Sequence, residues 1–130
     1  MVLRNLIPLL STLLLSAVAQ AASVAFVEPL DGATVPTTFT VKFAVDGMEV
    51  QPAGELSATS GHHHLIVNGS TVATGETVPF DAQHIHFGKG QTAAAVTLKP
   101  GTYKLTLQFA NGAHQSYGAA LSQTITVNVK

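Results

Sequence analysis

The 130-residue chain has no cysteine and no tryptophan, and only 10% of its residues are charged. Each shortage excludes something. With no disulfide available, an exported fold must be stabilised by packing alone. With no thiolate there is no nucleophilic cysteine, no structural cysteine-zinc site and no blue-copper centre. Six basic residues against seven acidic ones offer no electropositive face to nucleic acid or to an anionic membrane. Helical periodicity is missing too, for beyond the N-terminal segment no stretch repeats apolar positions at three-to-four spacing.

What is present begins with a targeting pattern. Arg4 precedes an apolar run from Leu6 to Ala19, and Ala19-Gln20-Ala21 is a small-x-small cleavage signal. The run is short for a membrane span, no second one follows, and a lipoprotein anchor would need a cysteine. The expectation is a signal peptide over residues 1–21, a periplasmic or secreted location, and one mature domain over residues 22–130. Loss of Arg4 leaves five lysines against seven carboxylates, a net charge near −2, with no membrane association after cleavage.

The domain reads as β throughout. Phe39, Val41, Phe43 and Val45 alternate with Thr38, Thr40, Lys42 and Ala44, the pattern of a half-buried strand. Tyr103, Leu105, Leu107 and Phe109 repeat it after the Pro100-Gly101 turn, and Ile125, Val127 and Val129 do so at the C-terminus. Shorter strands are expected at Ser23 to Val27, His62 to Val67, His84 to Phe87 and Gln91 to Leu98. Met48 to Gly61 reads as a long loop, and Asn68-Gly69 as a two-residue hairpin turn into a strand over Ser70 to Thr74. About seven short strands at close turn spacing predict an immunoglobulin-like antiparallel β-sandwich. Tyr103 stands where such a fold places its tyrosine corner.

Histidine carries the chemistry. Gly61-His62-His63-His64-Leu65-Ile66-Val67 runs three imidazoles into an apolar β triplet, and His84-Ile85-His86-Phe87 repeats a His-x-His pair. Side chains two apart on a strand share a face and lie about 6.5–7 Å apart, and cross-strand neighbours are closer still. Four imidazoles on adjacent strands can therefore meet at one ion, and neutral imidazole suits zinc, copper, nickel and iron. Ile85 and Phe87 turn core-ward and leave His84 and His86 facing away. In the first motif Leu65 and Val67 share a face with His63, and Ile66 shares one with His62 and His64. The matched spacing selects His62, His64, His84 and His86 as ligands. His63 points to the opposite face in that phase and is kept as a further candidate ligand beside the four. His114, after the Asn111-Gly112 turn, is either a further ligand or group supporting the site, or a solvent-exposed loop histidine.

Other patterns fail on their chemistry. Gly88-Lys89-Gly90-Gln91-Thr92 lacks the first glycine and the Ser or Thr of a phosphate loop and reads as a tight turn. Asn68-Gly69-Ser70 is formally a glycosylation sequon but doubles as a turn.

The histidine motifs carry a family likeness, together with Gly88-Lys89-Gly90-Gln91-Thr92 and Leu98-Lys99-Pro100-Gly101-Thr102-Tyr103-Lys104-Leu105. Taken in order they resemble a group of small exported bacterial proteins sharing a domain of unknown function, family 4399. The resemblance implies a periplasmic or secreted β-domain and brings no activity with it. Tyr103 stands where many relatives are expected to have histidine, and the segment around His114 is poorer in His and Pro. The architecture is also similar to that of periplasmic copper-resistance carriers, cysteine-free β-sandwiches that use histidines.

The resulting expectation is an exported histidine-rich protein that binds Cu(II) or Zn(II), copper ahead of zinc by the Irving–Williams order. It would sequester the metal or deliver it to an envelope metal-handling partner. The alternative is a metal-free binding or structural module of the cell envelope. A small copper or zinc enzyme in the style of superoxide dismutase is a third reading. It lacks support, because an enzyme needs an open coordination position and an acid–base partner, and neither motif holds a carboxylate.

Overall fold

The two strongest alternations become the central strands of two opposed sheets. In the computed structural model, which describes residues 2, 8, 10–16 and 21–130, nine strands follow in order. They are β1 (Ser23–Glu28), β2 (Thr34–Val35), β3 (Thr38–Asp46), β4 (Glu49–Val50), β5 (Ser60–Val67), β6 (His84–His86), β7 (Ala93–Thr97), β8 (Gly101–Ala110) and β9 (Ser122–Val129). Seven of these span three or more residues, and β2 and β4 are two-residue ladders. The three-stranded sheet has the order β1-β3-β7, and the six-stranded sheet the order β2-β9-β8-β5-β4, with β6 also on β5. The protein is an all-β sandwich.

The core lies between the sheets. Phe39, Val41 and Phe43 of β3 meet Leu105, Leu107 and Phe109 of β8 and Ile125, Val127 and Val129 of β9, as the alternation predicts. Leu105, Leu107 and Phe109 are fully shielded, and each such side chain contributes about 1.5–3 kcal/mol through burial. The tyrosine corner is present: the Tyr103 hydroxyl donates to the Lys99 carbonyl, four residues upstream, at 2.8 Å.

One expected hairpin does not form. Asn68 takes a left-handed φ of 55°, but Gly69 has no positive φ, so the type I′ turn that would fold the chain straight back is not made. Asn68 instead pairs with Lys104 of β8, its amide donating to the Lys104 carbonyl and its Oδ1 accepting from the Lys104 amide. Both sides of β5 are already occupied, by β8 and by β4 with β6. Residues 70–74 are therefore left without a sheet position. They run over the outer face of the larger sheet, where the Gln108 side chain accepts from the Val72 amide at 3.0 Å. The segment read as a loop from Met48 to Gly61 is a loop over residues 51–59, flanked by β4 and the start of β5.

The signal-peptide expectation falls mainly on residues outside those described, including Arg4 and the Ala19-Gln20 pair. Leu10, Leu13, Leu14 and Leu15 are exposed, and no helix among the described residues is long and apolar enough to cross a membrane.

Candidate metal centre

All eight residues of β5 are buried. This explains why the strand shows no clean alternation: one face meets the core and the other is roofed by loops. The inner face carries His63, Leu65 and Val67. The outer face carries His62, His64 and Ile66, with Ala110, Gln108 and Thr106 of β8 opposite them. On the other side β6 pairs His86 with His64 and His84 with Ile66. Residues 70–81 and 111–118 close the outer face, so Ile66 and Val78 are fully buried.

The fourth histidine comes from the second roofing loop. Asn111 organises it: its carbonyl accepts from the His114 amide at 2.9 Å, and its Oδ1 accepts from the amides of Ala113 and Gln115. A β-carbon on Gly112 would strike the Glu55 carbonyl, so only glycine lets the turn seat against the 51–59 loop. His114 itself holds a φ of 60°, rare for a residue with a side chain, and its carbonyl accepts from the Val78 amide. The turn thus spends backbone strain to aim one imidazole inward, the kind of outlier that clusters at functional sites.

The rings converge on His114 Nδ1. His62 Nε2 lies 3.0 Å from it, His64 Nε2 3.3 Å and His86 Nδ1 3.3 Å. The ligand atoms of His62, His64 and His114 lie within 4.8 Å of one another, a buried cluster able to hold a metal ion. His86 Nε2 is 2.8 Å from the Pro79 carbonyl, so that nitrogen donates to it and Nδ1 is the one turned toward the cluster. Anchoring the outer N–H of a ligating histidine on a carbonyl is a regular device of metal sites. Phe80 stacks on the His86 ring at 3.8 Å and 14°, and meets His114 edge-on at 5.1 Å. The Nδ1 atoms of His62 and His64 are buried without a partner, so packing and the approach of Nε2 to His114 orient those two rings.

Burial and crowding favour the neutral form of His62, His64 and His114. His62 is pushed down to about 4, by burial first and then by His114 and His86. His64 is pushed down to about 2 by burial and by His62, His86 and His114, against a weak opposing pull from the Gln108 backbone. His114 is lowered by burial and by His86. Neutral imidazole is the form that binds metal.

The remaining histidines are placed elsewhere. His84 Nδ1 donates to Asp81 Oδ1 at 2.6 Å, which holds the Asp81 carboxyl below its usual range. No hydrogen bond or ring pairing joins His84 to the four rings. His63 lies in the core between Phe43 and Phe109, its ring centroid 5.0 Å from each, and both of its nitrogens lack a partner. Burial, then His62, pushes it down to about 4. Of the expected ligands the fold brings His62, His64 and His114 into one cluster, places His86 against His114 at its edge, and sets His84 and His63 apart. Pro79 and Phe80 carried no sequence signal beyond a turn.

The model of the domain of unknown function DUF4399 matches residues 41–130, from the middle of β3 to the end of the chain. The chain belongs to the DUF4399 family. Every histidine of the cluster lies within the DUF4399 region, as do β5, β6 and the 111–118 turn. No curated protein and no solved structure matches the chain.

Proposed function

We propose that this DUF4399 protein is an exported metal-binding protein that sequesters a transition metal, copper in preference to zinc, or delivers it to an envelope partner. One observation carries the reading: three imidazole nitrogens approach His114 Nδ1 to within 3.3 Å. A ring nitrogen has either one proton or one lone pair, so hydrogen bonding can satisfy only one of those three approaches. A cation among them would engage the lone pairs of His62, His64 and His114 together, with His86 beside His114. The donors are all imidazole, and the Irving–Williams order then ranks copper above zinc. Arg4, the apolar run and Ala19-Gln20-Ala21 support export to the periplasm or beyond. His62, His64 and His114 supply three donors, and neither histidine motif holds the carboxylate that an acid–base partner would need, which favours holding over turnover.

Metal content of protein purified without a polyhistidine tag tests this reading, together with the melting temperature. Copper or zinc should raise the midpoint at neutral pH by mass action, and the rise should disappear at about pH 5, where protons compete for the rings. A midpoint indifferent to both metals at neutral pH would favour the second reading, a metal-free envelope module. That reading has its own feature, a cavity of about 280 Å³ between the sheets, lined by Val67, Ile85, Phe87, Val96 and Leu98 among others. Val67 shares the inner face of β5 with Leu65, whose backbone partner on β6 is Ile85, so the cavity opens away from the histidine cluster.

A further inference from the structure

We propose that His86 is the port through which the ion enters and leaves the site, held under the exposed ring of Phe80. The inference rests on the metal site proposed above and adds the route of exchange and the residues that carry it. Three features of the cluster lead to it.

Cover is the first, and it is unequal. His62 and His64 are fully shielded, and so are Ala110 and Gln108, their partners on β8. Val78, whose amide donates to the His114 carbonyl, is fully buried as well. Close-packed sides of this kind admit no ion unless the sheet or its roof opens. On the remaining side stand His86, which is partly exposed, and Phe80, which is 71% exposed.

The second is order. The His86 ring lies between Phe80, stacked on it at 3.8 Å, and His64, nearly perpendicular at 4.4 Å. It is also 5.0 Å from the His114 ring. His62, His64 and His114 close to within 4.8 Å of one another, and His86 stands outside that group, 3.3 Å from His114 Nδ1. Phe80, His86 and the three inner donors thus form a series from solvent to the buried group. A side chain in that middle position meets an arriving ion first and a departing ion last.

The tether is the third. His86 Nε2 donates to the carbonyl of Pro79, the residue before Phe80, and Nδ1 faces the cluster. Ring and cover therefore hang on one segment, and a shift of residues 79–80 moves both. A neutral His86 offers an ion its Nδ1 lone pair. Entry is then ligand substitution with no electron transferred. His86 Nδ1 bonds the ion as a water leaves it, and the three inner nitrogens displace His86 and the remaining waters. Release runs the same steps backwards. Sealed on every side, three buried donors would have no entry path, which a working metal site needs.

The test is stopped-flow exchange of Zn(II), with Cu(II) in a parallel series, between untagged protein and a chromophoric chelator. Loss of an ordinary ligand weakens binding mainly by speeding release. His86→Ala should instead slow capture about tenfold and slow release about threefold, so that affinity falls although release is slower. Phe80→Ala should speed both rates about threefold and leave affinity within about twofold, as removal of a lid does. Phe80 is exposed, so its variant reads the port even if His86→Ala does not fold. Faster or unchanged release from a folded His86→Ala protein, or unchanged rates in Phe80→Ala, would overturn the port and leave the metal site standing. Binding of neither ion by the unaltered protein would overturn the site and the port together.

Discussion

His63 and its neighbours His62 and His64 are consecutive residues of one strand, equally buried, and they meet opposite fates. On the inner face His63 sits between two phenylalanines with neither nitrogen partnered. On the outer face the rings of His62 and His64 lie tilted to one another, 4.6 Å apart, and aim their Nε2 atoms at His114 of the 111–118 turn. Burial depresses the basicity of all three, so desolvation does not distinguish them. What differs is what covers each face. Apolar side chains of the opposite sheet cover one, and polar turns bearing His114, Pro79 and Phe80 cover the other. A buried histidine becomes a ligand only where its cover supplies other donors.

Acid should act on both faces at once and produce the largest effect. His62 and His63 have folded values near 4, below the ordinary 6.5, so the unfolded chain binds more protons in between. Stability is therefore complete above about pH 6.5 and is lost as the pH falls toward 4, by about 1.4 kcal/mol per pH unit for each extra proton. Chemical denaturation at a series of pH values should display that slope, and a stability independent of pH over this range would contradict the burial of these rings.

Ligand substitutions should split the faces. His62→Ala, His64→Ala or His114→Ala should each weaken metal binding well over tenfold, more than about 1.4 kcal/mol, in a competition titration. His63→Leu should leave the affinity within about threefold. If His63→Leu abolished binding and His64→Ala did not, the assignment of faces along β5 would be reversed.

The same His63→Leu change should raise stability by about 1 kcal/mol at neutral pH, since it replaces an unpartnered polar ring with an apolar side chain. The gain should grow at about pH 5, where the lost proton site no longer favours unfolding. A thermal melt that fell at both pH values would mean the ring has a partner that its surroundings do not reveal. The smallest effect is expected at His84. Its ring is committed to Asp81, so His84→Ala should alter metal affinity less than threefold. A loss equal to that of His86→Ala would bring His84 into the site.

Much of this molecule follows from local chemistry. The alternations at Phe39 to Val45, Tyr103 to Phe109 and Ile125 to Val129 determine three strands and the faces they bury, because a period of two leaves a strand only one way to present its apolar residues. Ile85 and Phe87 likewise determine that His84 and His86 face outward. The phase of His62 to Val67 is another matter, for a strand covered on both faces has no polar side to reveal its orientation. The Asn68-Gly69 dipeptide permits a hairpin, yet the neighbours of β5 were already set by β8 and β6, and register against them prevailed. Whether His114 belongs to the site, and His84 does not, depends on contacts between residues far apart in the chain. Asn111 and Gly112 could form their turn anywhere. Only the packing of that turn against Glu55 and Val78 carries His114 to the outer face of β5, 50 residues from His64 in sequence and 3.3 Å from it in space.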